Sequence, residues 1–184
     1  LCTYAAYTDD ERASRYAERA RDTVVSTLVE DGAVTHYRTD EETGPIGLLL
    51  DQARVLQGLT SSWQVLGEGG PATAVADWTI EHLQTDAGAF RDSRADGPGL
   101  CSRPQYPLDA TVELADALLD LAALADDDRY RAAAHDALAA FAGAADRMGV
   151  EVAHYAATTA RFLDQRAVRV GPEAGSDLHR AALR

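Results

Sequence analysis

Residues 108–141 read LDATVELADALLDLAALADDDRYRAAAHDALAAF, and the fold follows from this stretch. Between Leu108 and Ala125 apolar side chains return every three or four positions with few polar ones between them. That pattern belongs to a helix buried on several sides. Asp126-Asp127-Asp128 then supplies carboxylates suited to the free N–H groups at the start of a following helix. The helix from Asp128 carries Arg and Asp on one face, as an outer helix would. The unit is a helical hairpin.

The hairpin repeats along the chain. Laying Leu108 on Leu50 sets it over LDQARVLQGLTSSWQVLGEGGPATAVADWTIEHL, with Asp109 on Asp51 and the Asp triplet on Glu68-Gly69-Gly70. Laying Leu118 on Leu1 sets LLDLAALADDDRYRAAA over LCTYAAYTDDERASRYA. The connecting segments match too, DTVVSTLVEDGAVTHYR (22–38) over DWTIEHLQTDAGAFRDS (77–93). Each unit is helix, tight turn, helix and an irregular segment of roughly 15–20 residues.

Spacing predicts helices over 9–30, 47–66, 71–85, 109–125, 128–147 and 150–164, with Pro71 in a first turn. Ala167-Val168-Arg169-Val170 alternates as a short strand, Gly171-Pro172 turns, and Ser176 or Asp177 opens a helix running to Arg184. The fold expected is all-α: a partial (α/α) toroid of alternating inner and outer helices over 1–166, then a truncated β–α appendix over 167–184. A plain helical solenoid is the alternative. Leu1 falls within a helix of its repeat and the single methionine is Met148, so a piece cut inside a structural unit is expected. The uncovered inner helices of such a piece would favour a homo-oligomer.

Composition narrows the setting. Hydrophobic residues make up 46% of the 184, which excludes wholesale disorder. No apolar run approaches the roughly 20 residues that span a bilayer, and no signal-like segment opens the chain. Thirty acidic residues against 17 basic ones give a net charge of −13, which argues against nucleic acid and anionic membrane as partners. There is no Lys and no Asn, and Asp is twice as frequent as Glu. GC-rich codons account for Arg and Ala in place of Lys and Asn but not for the acidic surplus. A halophilic archaeon's cytoplasm, where salt screens the self-repulsion, is the expected setting. Cys2 and Cys101 lie too far apart for a zinc knuckle or a disulfide framework.

Four phrases, GLLLDQARVLQGLTSSWQVLGE, DAGAFRDS, LADDDRYRAAAHDALAAFA and AVRVGPEAGSDLHRAAL, occur in an order that resembles one family. It is the C-terminal part of the spermatogenesis-associated, thioredoxin-domain-containing proteins. The resemblance implies a six-hairpin (α/α) barrel similar to N-acylglucosamine 2-epimerases and cellobiose epimerases. It also implies, as partners, an N-terminal thioredoxin-like domain and the remaining barrel hairpins. One departure stands out. Where the family has an Arg-Pro-Lys element and then Pro-Ser-Gly-Asn, this chain has Arg103-Pro104-Gln105 and then Leu108-Asp109-Ala110-Thr111.

In a toroid the segments feeding inner helices line the cavity mouth, which gathers His36, Tyr37, Arg38, Asp51, Arg91, Asp92, Arg94, Arg103, Tyr106 and Asp109 near one end. Aromatic rings with carboxylates and guanidinium forks suit a sugar-like small molecule. Tyr37, Arg38, Arg91, Asp92, Arg103 and Tyr106 are the expected ligand contacts. Asp51 and Asp109, at equivalent repeat positions, read either as an acid/base pair or as helix caps. Equivalence favours caps, because catalytic pairs need unlike environments. His154 on the last inner helix, with His36, would be the proton-moving pair of an epimerase; His82, His135 and His179 read as surface residues. Metal-ligand spacing, a phosphate loop and a GxSxG elbow are all missing from the sequence, and no cofactor is expected. The reading is an accessory domain that binds a carbohydrate-like ligand without turnover. Its alternatives are a sugar epimerase or isomerase and a structural or protein-interaction module.

Overall fold

A computed structural model describes residues 1–94, 102–103, 105–147, 149, 152–171 and 173–184; Cys101, Pro104 and Pro172 lie outside them. The chain is mostly helical: α1 (Cys2–Thr8), α2 (Glu11–Leu28), α3 (Leu49–Leu66), α4 (Ala72–Leu83), α5 (Leu108–Ala125), α6 (Asp128–Ala139), α7 (Val152–Leu163) and α8 (Asp177–Ala182). Two short strands, β1 (Val29–Glu30) and β2 (Ala33–Val34), pair antiparallel between α2 and α3.

Helices α1, α3, α5 and α7 form one row in which each packs on the next; α2, α4 and α6 lie behind it. The α3–α5 contact is the largest, and Leu49, Leu56, Leu114, Leu118, Leu119 and Leu121 are sealed from solvent there. The hairpin turns share one device. Asp9 and Asp126 take the left-handed conformation that ends α1 and α5, and Asp10 and Asp127 cap α2 and α6. Asp accepts positive φ because its short carboxylate bonds locally, and Gly67 does the same work at the end of α3.

Several sequence expectations shift. The helix predicted over 9–30 stops at Leu28, because Asp31 and Gly32, with φ of 49° and 84°, make the tight turn that pairs β1 with β2. An Asp-Gly pair flanked by valines is a hairpin signal, outweighed in the sequence reading by helical spacing. The helix predicted over 128–147 ends at Ala139 and continues as a 3₁₀ turn, Ala142–Arg147. The Leu138 carbonyl there accepts both the Phe141 N–H and the Tyr155 hydroxyl, which tightens the last turn. Residues 167–170 form no strand. Val168 is 82% exposed and no neighbouring strand offers a ladder, and alternation alone does not hold an isolated strand. Ser176 caps α8 as expected.

Candidate functional site

The β1–β2 hairpin continues into a second antiparallel turn that feeds α3. His36 N–H donates to the Pro45 carbonyl, Gly44 N–H to Tyr37 and Gly47 N–H to Val34. The Gln52 side chain, which is fully buried, ties this meander to the helices. Its Oε1 accepts the Val34 N–H at 2.6 Å, and its Nε2 donates to the Gly32 carbonyl at 3.2 Å and to Thr79 Oγ1 at 2.8 Å. Gly32 and Gly47 fit only without a side chain, since an added Cβ would lie 2.3 Å from the Ala74 carbonyl oxygen and 2.1 Å from the Trp78 ring.

One residue before Gln52, on a different helix face, Asp51 meets the meander's histidine. His36 Nδ1 lies 2.8 Å from Asp51 Oδ2, with the imidazole half exposed. A carboxylate partner accepts the Nδ1 proton and orients the ring. Asp51 is no cap: the N-cap of α3 is Leu48 and makes no side-chain bond. The same holds at Asp109, where the N-cap of α5 is Pro107.

Nor do the two acids occupy equivalent positions. Both helices span 18 residues, and counting from their first residues sets Leu49 on Leu108 and Leu66 on Ala125, one residue off the sequence overlay. Asp51 then falls on Ala110.

Asp109 has a different neighbour. It lines a depression of about 440 Å³ with Leu108, Val112, His154 and Tyr155. His154 is exposed beside Tyr155, whose hydroxyl is tied to the Leu138 carbonyl. The structure pairs His36 with Asp51, while His154 and Asp109 share only the lining of that depression.

The remaining predicted contacts divide. Asp92 organises the loop before α5: its Oδ1 accepts the Gln105 N–H at 2.8 Å and its carbonyl accepts the Leu49 N–H. Tyr37 turns back to Glu42 and Arg38 to Glu30, both within the meander region. Arg91 is held through its backbone N–H on the Leu83 carbonyl. Arg103 and Tyr106 are exposed. Two histidines read as surface residues are engaged instead. His82 stacks on Trp78 with ring centroids 4.4 Å apart. His179 donates from Nε2 to the Gln64 carbonyl and accepts the Gly175 N–H at Nδ1, which pins α8 to the end of α3.

Sequence reasoning missed the acidic strip of α5. Asp109, Glu113, Asp116 and Asp120 stand at 4-3-4 spacing on the face that the core leaves uncovered. Arg54 of α3 meets Glu113 at 3.1 Å. Arg161 of α7 bonds Asp116 at 2.6 Å and also Asp120. Burial holds the Asp120 carboxyl above its ordinary range, opposed by Arg161. Burial alone would lower Arg161, yet Asp120 and Asp116 leave it raised. The signal was present, because these four acids are the only charged residues in an otherwise apolar helix. No group of His, Cys, Asp and Glu that would hold a metal occurs among the described residues, and no helix there is long and apolar enough to cross a membrane.

Comparison with family models, curated proteins and solved structures gives no match. The class is therefore carried by the fold and site alone: a mostly helical protein with a polar strip along one row of helices.

Proposed function

We propose that the chain is part of an (α/α) toroid whose inner helices present a binding surface for a carbohydrate-like ligand, held without turnover. The observation that carries this reading is the polar strip itself. His36–Asp51, Arg54–Glu113, Asp109 in one depression with His154, and Arg161 with Asp116 and Asp120 run across the neighbouring helices α3, α5 and α7. A polyol offers many hydroxyls that both donate and accept, and alternating carboxylates and guanidinium groups match both roles. Within this proposal the domain is an accessory unit of a cytoplasmic, thioredoxin-domain-containing protein from a salt-rich interior.

The absence of turnover rests on geometry. A proton moved on a sugar carbon needs an acid and a base on one substrate, whereas His36 is engaged by Asp51 and His154 stands on a different element, in a depression His36 does not line. A sugar epimerase is the second reading, favoured by the half-exposed His36 imidazole held by Asp51.

Saturation-transfer NMR with N-acetylglucosamine, mannose, glucose and cellobiose in deuterated water separates these readings. The expected result is binding that His36→Ala and Asp51→Asn weaken, with no deuterium entering beside the carbonyl carbon. Deuterium incorporation lost in His36→Ala or His154→Ala would establish the epimerase. Failure of every sugar to bind would leave a structural module.

A further inference from the structure

The outer face of α2 carries Arg12, Arg15, Tyr16 and Arg19 around a shallow concavity of about 220 Å³. Their spacing of three, four and seven residues places all four on one helix face. The Arg12 and Arg19 guanidinium carbons lie 5.8 and 5.7 Å from the centre of the Tyr16 ring, one toward each end of the helix. The aromatic face thereby holds both cations in place. Arg15 has only a loose pairing with exposed Glu11, at 3.6 Å. Neither Arg12 nor Arg19 has a carboxylate partner among the described residues, whereas Arg21, Arg54, Arg129 and Arg161 each do. In a chain of net charge −13, cations left without acids form a local exception to the surface.

We propose that this Arg–Tyr–Arg face is a docking surface for a short acidic peptide segment of a partner protein. Charge complementarity carries the choice of occupant. Arg12 and Arg19 are two turns apart, about 10 Å along the axis, a span met by carboxylates two to four residues apart on an extended chain. A single small anion does not bridge it. A nucleic-acid backbone or an anionic membrane would extend beyond the patch onto the flanking Glu11, Glu18 and Asp22 and be repelled. Bidentate guanidinium–carboxylate bonds and stacking act at contact range, so they persist where salt screens longer-range attraction.

Fluorescence anisotropy with a labelled hexaglutamate peptide tests this, at the lowest KCl concentration that keeps the far-UV circular dichroism of the folded chain. Labelled oligothymidylate and phosphatidylserine vesicles serve as competing probes. Saturable binding is expected, weakened about fivefold or more in Arg12→Gln/Arg19→Gln and in Tyr16→Leu, and unchanged in Arg166→Gln. All three variants alter exposed side chains, and unchanged helical circular dichroism separates lost binding from lost folding. No binding by the wild type, equal binding by the double variant, or tighter binding of oligothymidylate or vesicles would overturn the proposal. None of these outcomes bears on the sugar-binding strip, which lies on other helices.

Discussion

Replacing Gln52 by Leu keeps the approximate volume of a side chain that is fully buried and removes all three of its hydrogen bonds. Thr79 retains its bond to the Val75 carbonyl, so its hydroxyl is not orphaned. The Val34 N–H and the Gly32 carbonyl lose their partner. Each buried orphan costs about 1–3 kcal/mol, which gives a loss of about 2–6 kcal/mol. At about 2–4 °C per kcal/mol for a domain of this size, the thermal midpoint should drop by roughly 4–24 °C. The loss should also be local. In native-state hydrogen exchange, the amides of Val34, Thr35 and His36 should open far more readily, while those of Leu114 and Leu118 follow only the global change. Because the meander delivers His36, its Nδ1 bond to Asp51 should loosen as well, visible in the imidazole nitrogen shifts. Thr79→Val, which removes one of two acceptors of Nε2, should cost only about 1 kcal/mol. A Gln52→Leu midpoint within about 1 °C of wild type, or exchange that rises evenly over the chain, would refute the claim that Gln52 holds the meander.

Two further outcomes follow from charge. The thermal midpoint should rise between dilute buffer and about 2 M KCl as salt screens the acidic surface; an unchanged melt would count against a salt-adapted chain. Tyr130 is pushed up to about 12 by burial, with its hydroxyl bonded to Asp77 at 3.0 Å. The folded state therefore holds the phenolic proton more tightly than the unfolded one, and stability should fall as pH rises from about 10 toward 12, by about 2 kcal/mol. Tyr130→Phe should remove that slope in denaturant titrations. A slope that survives the change would assign the alkaline loss to other groups.

Much of the fold was legible because its cause is local or periodic. The mostly helical character and the Asp-rich turns come from apolar spacing and from capping chemistry that acts over a few residues. Asp127 caps α6 from the triplet the sequence marked, and α5 begins within one residue of its predicted start. What packing decided lay beyond that range. The hairpin at Asp31-Gly32 depends on Gln52, twenty residues away, to satisfy its buried backbone. Residues 167–170 have the alternation of a strand and no edge to join. Asp51 and Asp109 look equivalent in an overlay of letters, yet counting from the first residues of α3 and α5 sets them one residue apart, and one residue of shift turns a side chain by about 100° on a helix. Asp51 meets His36, and Asp109 lines one depression with His154. Periodicity in a sequence reports which residues share a face; which neighbour that face meets is settled only when distant helices pack.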